Sequence, residues 1–219
     1  MRIARLISDQ TGGVLVEAAV MITFTLIFLF GAIDFLFAFY QWNMANKAAQ
    51  FGARIAAVSD PVTPDLPGFW LTYTGTLQPG QPLPANSSLY SWVCDGNTGN
   101  CSGTTNVLVD TNALNTIVFG RNWLVTGNAR CDPTPQVYLR GMCHMFSSIG
   151  VQNVQITYKD SGLGFAFQPS GPTPTIIVRL QGLPFQFFFL KGLLGFADTN
   201  IPASATSITG EDVSVNAPL

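Results

Sequence analysis

Gly12-Gly13-Val14-Leu15-Val16-Glu17 opens an apolar run that reaches Phe39 and is broken by charge only at Glu17 and Asp34. From Val14 the run holds 26 residues. As a helix it would rise ~39 Å, more than the ~30 Å of hydrocarbon in a bilayer. Its two acids lie 17 positions apart, roughly 25 Å on a helix axis. Both can sit near the interfaces while Ala18 to Ile33 offers no ionisable group. This spacing predicts a transmembrane helix over 14–39.

Beyond the run, Tyr40 and Trp42 stand at the level where amphipathic rings favour headgroups. Ala45, Ala48, Ala49, Gly52, Ala53, Ala56 and Ala57 then recur at steps of three and four. Such a stripe of small side chains lets a second layer approach closely. Asp60-Pro61 ends the pattern, because the residue before proline avoids helical angles. One helix from Val14 to Val58 would be roughly 65 Å long, with 40–58 carrying the rest of the chain.

Before the run, Met1 to Gly12 forms a polar leader with Arg2 and Arg5 against Asp9. The next cations after Tyr40 are Lys47 and Arg54, so the positive-inside bias places the leader in the cytoplasm and the remainder outside. A secretory signal would have an apolar core of ~7 to 15 residues and a small-x-small site. Here the run is far longer and leads into Tyr40-Gln41-Trp42-Asn43.

Only 10% of the 219 residues are charged and the formal net charge is -2, which leaves no basic surface for nucleic acid. Residues 61–219 suffice for one domain with its own core. Their four cysteines allow three pairings, and the short intervals favour Cys94 with Cys101 and Cys131 with Cys143. Zinc would ask for Cys-x-x-Cys knuckles, which neither interval supplies. Disulfides imply an oxidising compartment, in agreement with the orientation from the leader. The one histidine, His144, reads as structural, and Asp95, Asn97 and Asn100 read as a turn rather than a calcium loop.

Pro61 to Gln81, with scattered apolar residues that include Phe69-Trp70-Leu71 and Tyr73, reads as a linker or irregular loop with one short strand. Asp110-Thr111 before 112–119 and Gly120 after it predict a capped helix. Val154, Ile156 and Tyr158 alternate with polar residues, as do Ile176, Val178 and Leu180, and a weaker third strand follows at Ile201, Ala203 and Ala205. Short turns between them predict an antiparallel sheet, whose apolar face the small-residue stripe would cover. The expected class is therefore α+β. Between the last two strands, 185–196 is rich in Phe and Leu but too short to cross a bilayer. Two readings stand: a core segment under the sheet, which is preferred, or an exposed surface meeting a neighbour or the membrane.

The glycine-started run, then Ile33-Asp34-Phe35, Asn46-Lys47-Ala48-Ala49 and Gly52-Ala53-Arg54, resembles the TadE-like pseudopilins of tight-adherence pilus systems, relatives of type IV pilins. The resemblance covers residues 1 to 60. It implies cleavage by a prepilin peptidase after Gly12, leaving Gly13 as the new N-terminus and Glu17 as the fifth residue. It further implies that Glu17 guides docking among pilin and pseudopilin subunits at an inner-membrane assembly platform. The leader departs from the family pattern at Ser8-Asp9-Gln10-Thr11, where relatives carry a denser basic cluster. Read from chemistry alone, a carboxyl at the hydrocarbon edge needs a partner, and the freed amine four residues away, or that of a neighbour, would supply one. Snorkelling to the headgroups is the plainer reading.

The expectation is thus a minor pseudopilin: leader 1–12, helix 13–60 and an extracytoplasmic β-rich domain 61–219. It would act in pilus assembly, attachment or biofilm formation, with membrane lipid as a partner and no cofactor. The alternative is an uncleaved single-pass anchor bearing a binding domain. No nucleophile or acid-base set points to an enzyme.

Overall fold

Forty-eight residues, Gln10–Ala57, form one helix, α1, in the computed structural model of the chain. The structure describes residues 10–84, 88–121, 123, 127, 129–132, 140–168, 171–184, 187–194, 200–202 and 204–210. Most of the leader, 1–9, lies outside them, as does Ala203 of the third expected strand. No proline interrupts α1. It ends just before Asp60-Pro61, with the Val58 N–H donating to the Ile55 carbonyl at 3.1 Å. Contacts divide the chain into two compact units: α1 up to Tyr40 together with the stretch around α4 (Phe189–Leu194), and the residues from Gln41 onward that include the sheet.

The second unit is built on a six-stranded antiparallel sheet ordered β3-β2-β1-β4-β5-β6. Its strands are β1 (Ser91–Asp95), β2 (Asn100–Gly103), β3 (Val107–Leu108), β4 (Val154–Asp160), β5 (Pro174–Leu180) and β6 (Ser204–Thr209). The alternation in β4 and β5 is realised: Val154, Ile156, Tyr158, Ile176, Val178 and Leu180 are all buried. Cys94 and Cys101 face each other across β1 and β2 and form a disulfide. Cys131 and Cys143 form the second. Both pairs follow the spacing argument.

Helix α3 (Thr111–Phe119) has the expected ends, since the Asp110 side chain accepts from the N–H groups of Asn112 and Ala113, and Gly120 closes it at φ 80°. Two expectations need correction. Between Pro61 and Gln81 there is no strand: Phe69–Thr72 is a short helix, α2, and Phe69 and Trp70 are buried. Phe69 lies 5.0 Å from Tyr90, which lies 5.3 Å from Trp92, measured between ring centres. Aromatic area drives that loop into the core. In β6 the inward residue is Ser204 and Ala205 is exposed, the opposite phase to that read from Ala203 and Ala205.

The small-residue stripe of α1 is buried at Ala45, Ala48, Ala49, Ala53, Ala56 and Ala57. Gly52 faces the side chain of Met142, which is itself fully buried. Just past α1, the Val62 N–H donates to the hydroxyl of Tyr158 at 2.9 Å. Burial pushes the Tyr158 phenol well above its ordinary range, with Asp110 adding to the rise and the Val62 bond opposing it. The folded state therefore favours the neutral phenol. Its contribution is present below the unfolded value of ~10 and declines as pH rises beyond it. Tyr158→Phe keeps the ring but orphans a buried N–H, so urea denaturation at neutral pH should show a loss of about 1 to 3 kcal/mol.

Candidate membrane and assembly site

From Gly12 to Phe28 every residue of α1 except Ile27 is exposed or belongs to an exposed apolar surface, and Phe28 is 80% exposed. The 18-residue window of highest hydropathy is 0% buried. A helix that is apolar on all sides and uncovered by its own chain needs apolar surroundings from elsewhere. Its hydroxyls make no demand on them: Thr23 donates to the Ala19 carbonyl at 2.8 Å and Thr25 to the Met21 carbonyl at 2.7 Å. Polar groups satisfied within the helix are what lipid tolerates. This helix is a candidate membrane anchor by length, composition and exposure.

Gly12, Gly13 and Glu17 lie on α1 and are exposed. A side chain at either glycine would meet nothing within 4 Å. Gly13 and Glu17 are one turn apart and share a helical face. Glu17 is the sole ionisable side chain between Gly13 and Ile33. The exposed carboxyl is thus presented outward from a surface that is otherwise apolar.

Asp34 behaves differently from its mate. It is 1% exposed, and its Oδ1 accepts from the Phe188 N–H at 3.1 Å while Oδ2 accepts from the Phe189 N–H at 2.9 Å. By sequence, Asp34 is a boundary charge and the Phe-rich stretch belongs by preference under the sheet. Instead the described part of that stretch belongs with the apolar half of α1. Rings of Phe30 and Phe189 stack at 4.6 Å, Phe37 and Phe188 lie 5.0 Å apart, and Phe35 meets Phe187 edge-on at 6.3 Å. An acid inside an apolar run, with a second Phe-rich run elsewhere, was the available signal.

In the second unit the Gly141 N–H donates to His144 Nδ1 at 2.9 Å. The sulfurs of Cys131 and Cys143 next to that imidazole lie within 4.8 Å of it but are bonded to each other. The arrangement is structural in its chemistry.

No curated protein and no solved structure matches the chain. Residues 12–54 do match a family model, described as TadE-like protein. That segment contains Gly12, Glu17, Asp34 and most of the small-residue stripe. Over residues 12–54 the chain is similar to TadE-like proteins.

Proposed function

We propose that this chain is a minor pseudopilin of a tight-adherence pilus, held in the inner membrane by α1 until it is taken into the filament. The observation that carries the reading is the TadE-like match over 12–54 falling on a single helix whose most apolar 18-residue stretch is uncovered and whose exposed first turns present Glu17. In this account a prepilin peptidase cuts after Gly12 on the cytoplasmic side. The new amine of Gly13 or of a neighbour then pairs with Glu17 at the edge of the hydrocarbon, where an unpartnered carboxyl is costly. Pairing with a neighbour sets the axial register of one α1 on the next. The disulfide-bonded domain would stand in the periplasm and later on the filament, contacting other pilin and pseudopilin subunits. We assign it no enzymatic role, because its one histidine and few acids supply no acid-base pair.

Glu17→Ala tests the register role. Removing one charge pair from an apolar setting should lower the amount of protein recovered with sheared pili on the order of tenfold for each ~1.4 kcal/mol lost, while the amount in the membrane stays level. Unchanged recovery in the sheared fraction would remove Glu17 from the mechanism. An uncleaved anchor with a binding domain is the second reading, favoured by Ser8-Asp9-Gln10-Thr11 ahead of the cut, which holds an acid and no basic residue. It expects retention in the membrane for both proteins.

A further inference from the structure

We propose that Phe187–Leu194 is a second membrane-embedded element: a short lipid-facing segment laid against α1 and fastened there by Asp34. The inference rests on α1 being a membrane anchor and goes beyond it, since a single-pass reading leaves this part of the chain in water.

Stacking on α1 fixes the depth of the segment. Phe30 lies nine positions before the end of the apolar run at Phe39, or ~14 Å along a helix axis. That is close to the middle of a ~30 Å hydrocarbon layer. Phe189 stacks on Phe30 with ring centres 4.6 Å apart and planes 14° from parallel. Whatever depth Phe30 takes, Phe189 shares. Phe188 on Phe37 and Phe187 on Phe35 continue the same contact toward the interface.

Backbone satisfaction points the same way. A chain segment can enter lipid only if its N–H and C=O groups find partners in protein, and the first N–H groups of any helix lack them. Here the Phe188 and Phe189 N–H groups, at the start of α4, donate to the two oxygens of Asp34. One buried carboxyl thereby resolves two polar groups that lipid would penalise, and the two groups in turn resolve the carboxyl. The segment also leaves large rings uncovered. Phe188 is 61% and Phe189 42% exposed, so large apolar faces point outward at a depth where the surroundings are acyl chains.

The test uses the full chain in phosphatidylcholine vesicles doped with a phospholipid bearing a diazirine at mid-chain. After illumination, labelled peptides are located by mass spectrometry. We expect label on Val20 to Phe28 and also on Phe187 to Leu194. Label on the helix alone, including the case in which 187–194 is covered by a second copy, would overturn the proposal and leave the anchor standing. Label on neither would overturn both. Asp34→Ala should abolish mid-chain labelling of 187–194 while that of Val20 to Phe28 persists, and Asp34→Asn, which keeps one acceptor oxygen, should restore part of it. Persistent labelling of the segment in Asp34→Ala would remove Asp34 as the fastening.

Discussion

Gly141→Ala should destabilise the disulfide-bonded unit by about 3 kcal/mol or more, near or beyond the upper end of what overpacking costs. The reason is the identity of the obstacle. A Cβ at Gly141 would come 2.6 Å from the Phe119 carbonyl carbon and 2.6 Å from the Val118 oxygen, and closer still to the Gly120 nitrogen. All three are backbone atoms at the end of α3, held by the bond from the Gly120 N–H to the Thr116 carbonyl at 3.0 Å. A side chain could swing away; this helix end cannot do so without breaking its own closure. The 3-10 turn Met142–His144 begins at the next residue, and Cys143 within it is tied to Cys131, so the other wall is fixed as well. Backbone angles do not enter, because Gly141 sits at φ −116°, open to any residue. Gly68→Ala is the control. There φ is −85° and an added Cβ would meet nothing within 4 Å, so its urea midpoint should match the parent or rise slightly. Equal midpoints for Gly141→Ala and the parent would show that this packing is looser than described.

How much of this was readable beforehand depends on whether the deciding interaction is local. In β4 and β5 the buried apolar residues lie on one face of each strand, so the alternation of Val154, Ile156 and Tyr158 or of Ile176, Val178 and Leu180 states the strand directly. The cap of α3 was equally legible because Asp110 bonds to N–H groups only two and three positions away. The hairpin of β1 and β2 was not read as strands. Its turn residues, Gly96 to Gly99, dominate a short interval, and only pairing with β4 supplies the outer partner. In β6, Ser204 at the inward position masks the period.

The candidate site divides the same way. Gly12, Gly13 and Glu17 stand in one short stretch, and the apolar run that follows announces the helix by itself. The place of the Phe-rich segment is settled instead by hydrogen bonds that Asp34 accepts across 154 and 155 positions. Hydrophobicity says that Phe187 to Phe189 must leave water. It does not say whether core, neighbour or lipid receives them.

The second large effect is processing, an all-or-none change in the chain. Gly12 and Gly13 are exposed, and neither has a side chain to obstruct a protease. Cutting after Gly12 makes Glu17 the fifth residue and puts a new amine one helical turn from it, whereas cutting after Gly13 makes Glu17 the fourth. Gly12→Val should therefore leave the leader attached even where the peptidase is active. The most direct measurement is the N-terminal residue and intact mass of the protein from membranes of cells with and without the prepilin peptidase. The account predicts a chain beginning at Gly13 only when the peptidase is present, and a chain still carrying Met1 to Gly12 when it is absent. A leader retained in both strains would contradict the pseudopilin reading and leave an uncleaved anchor, with Glu17 reduced to a boundary residue.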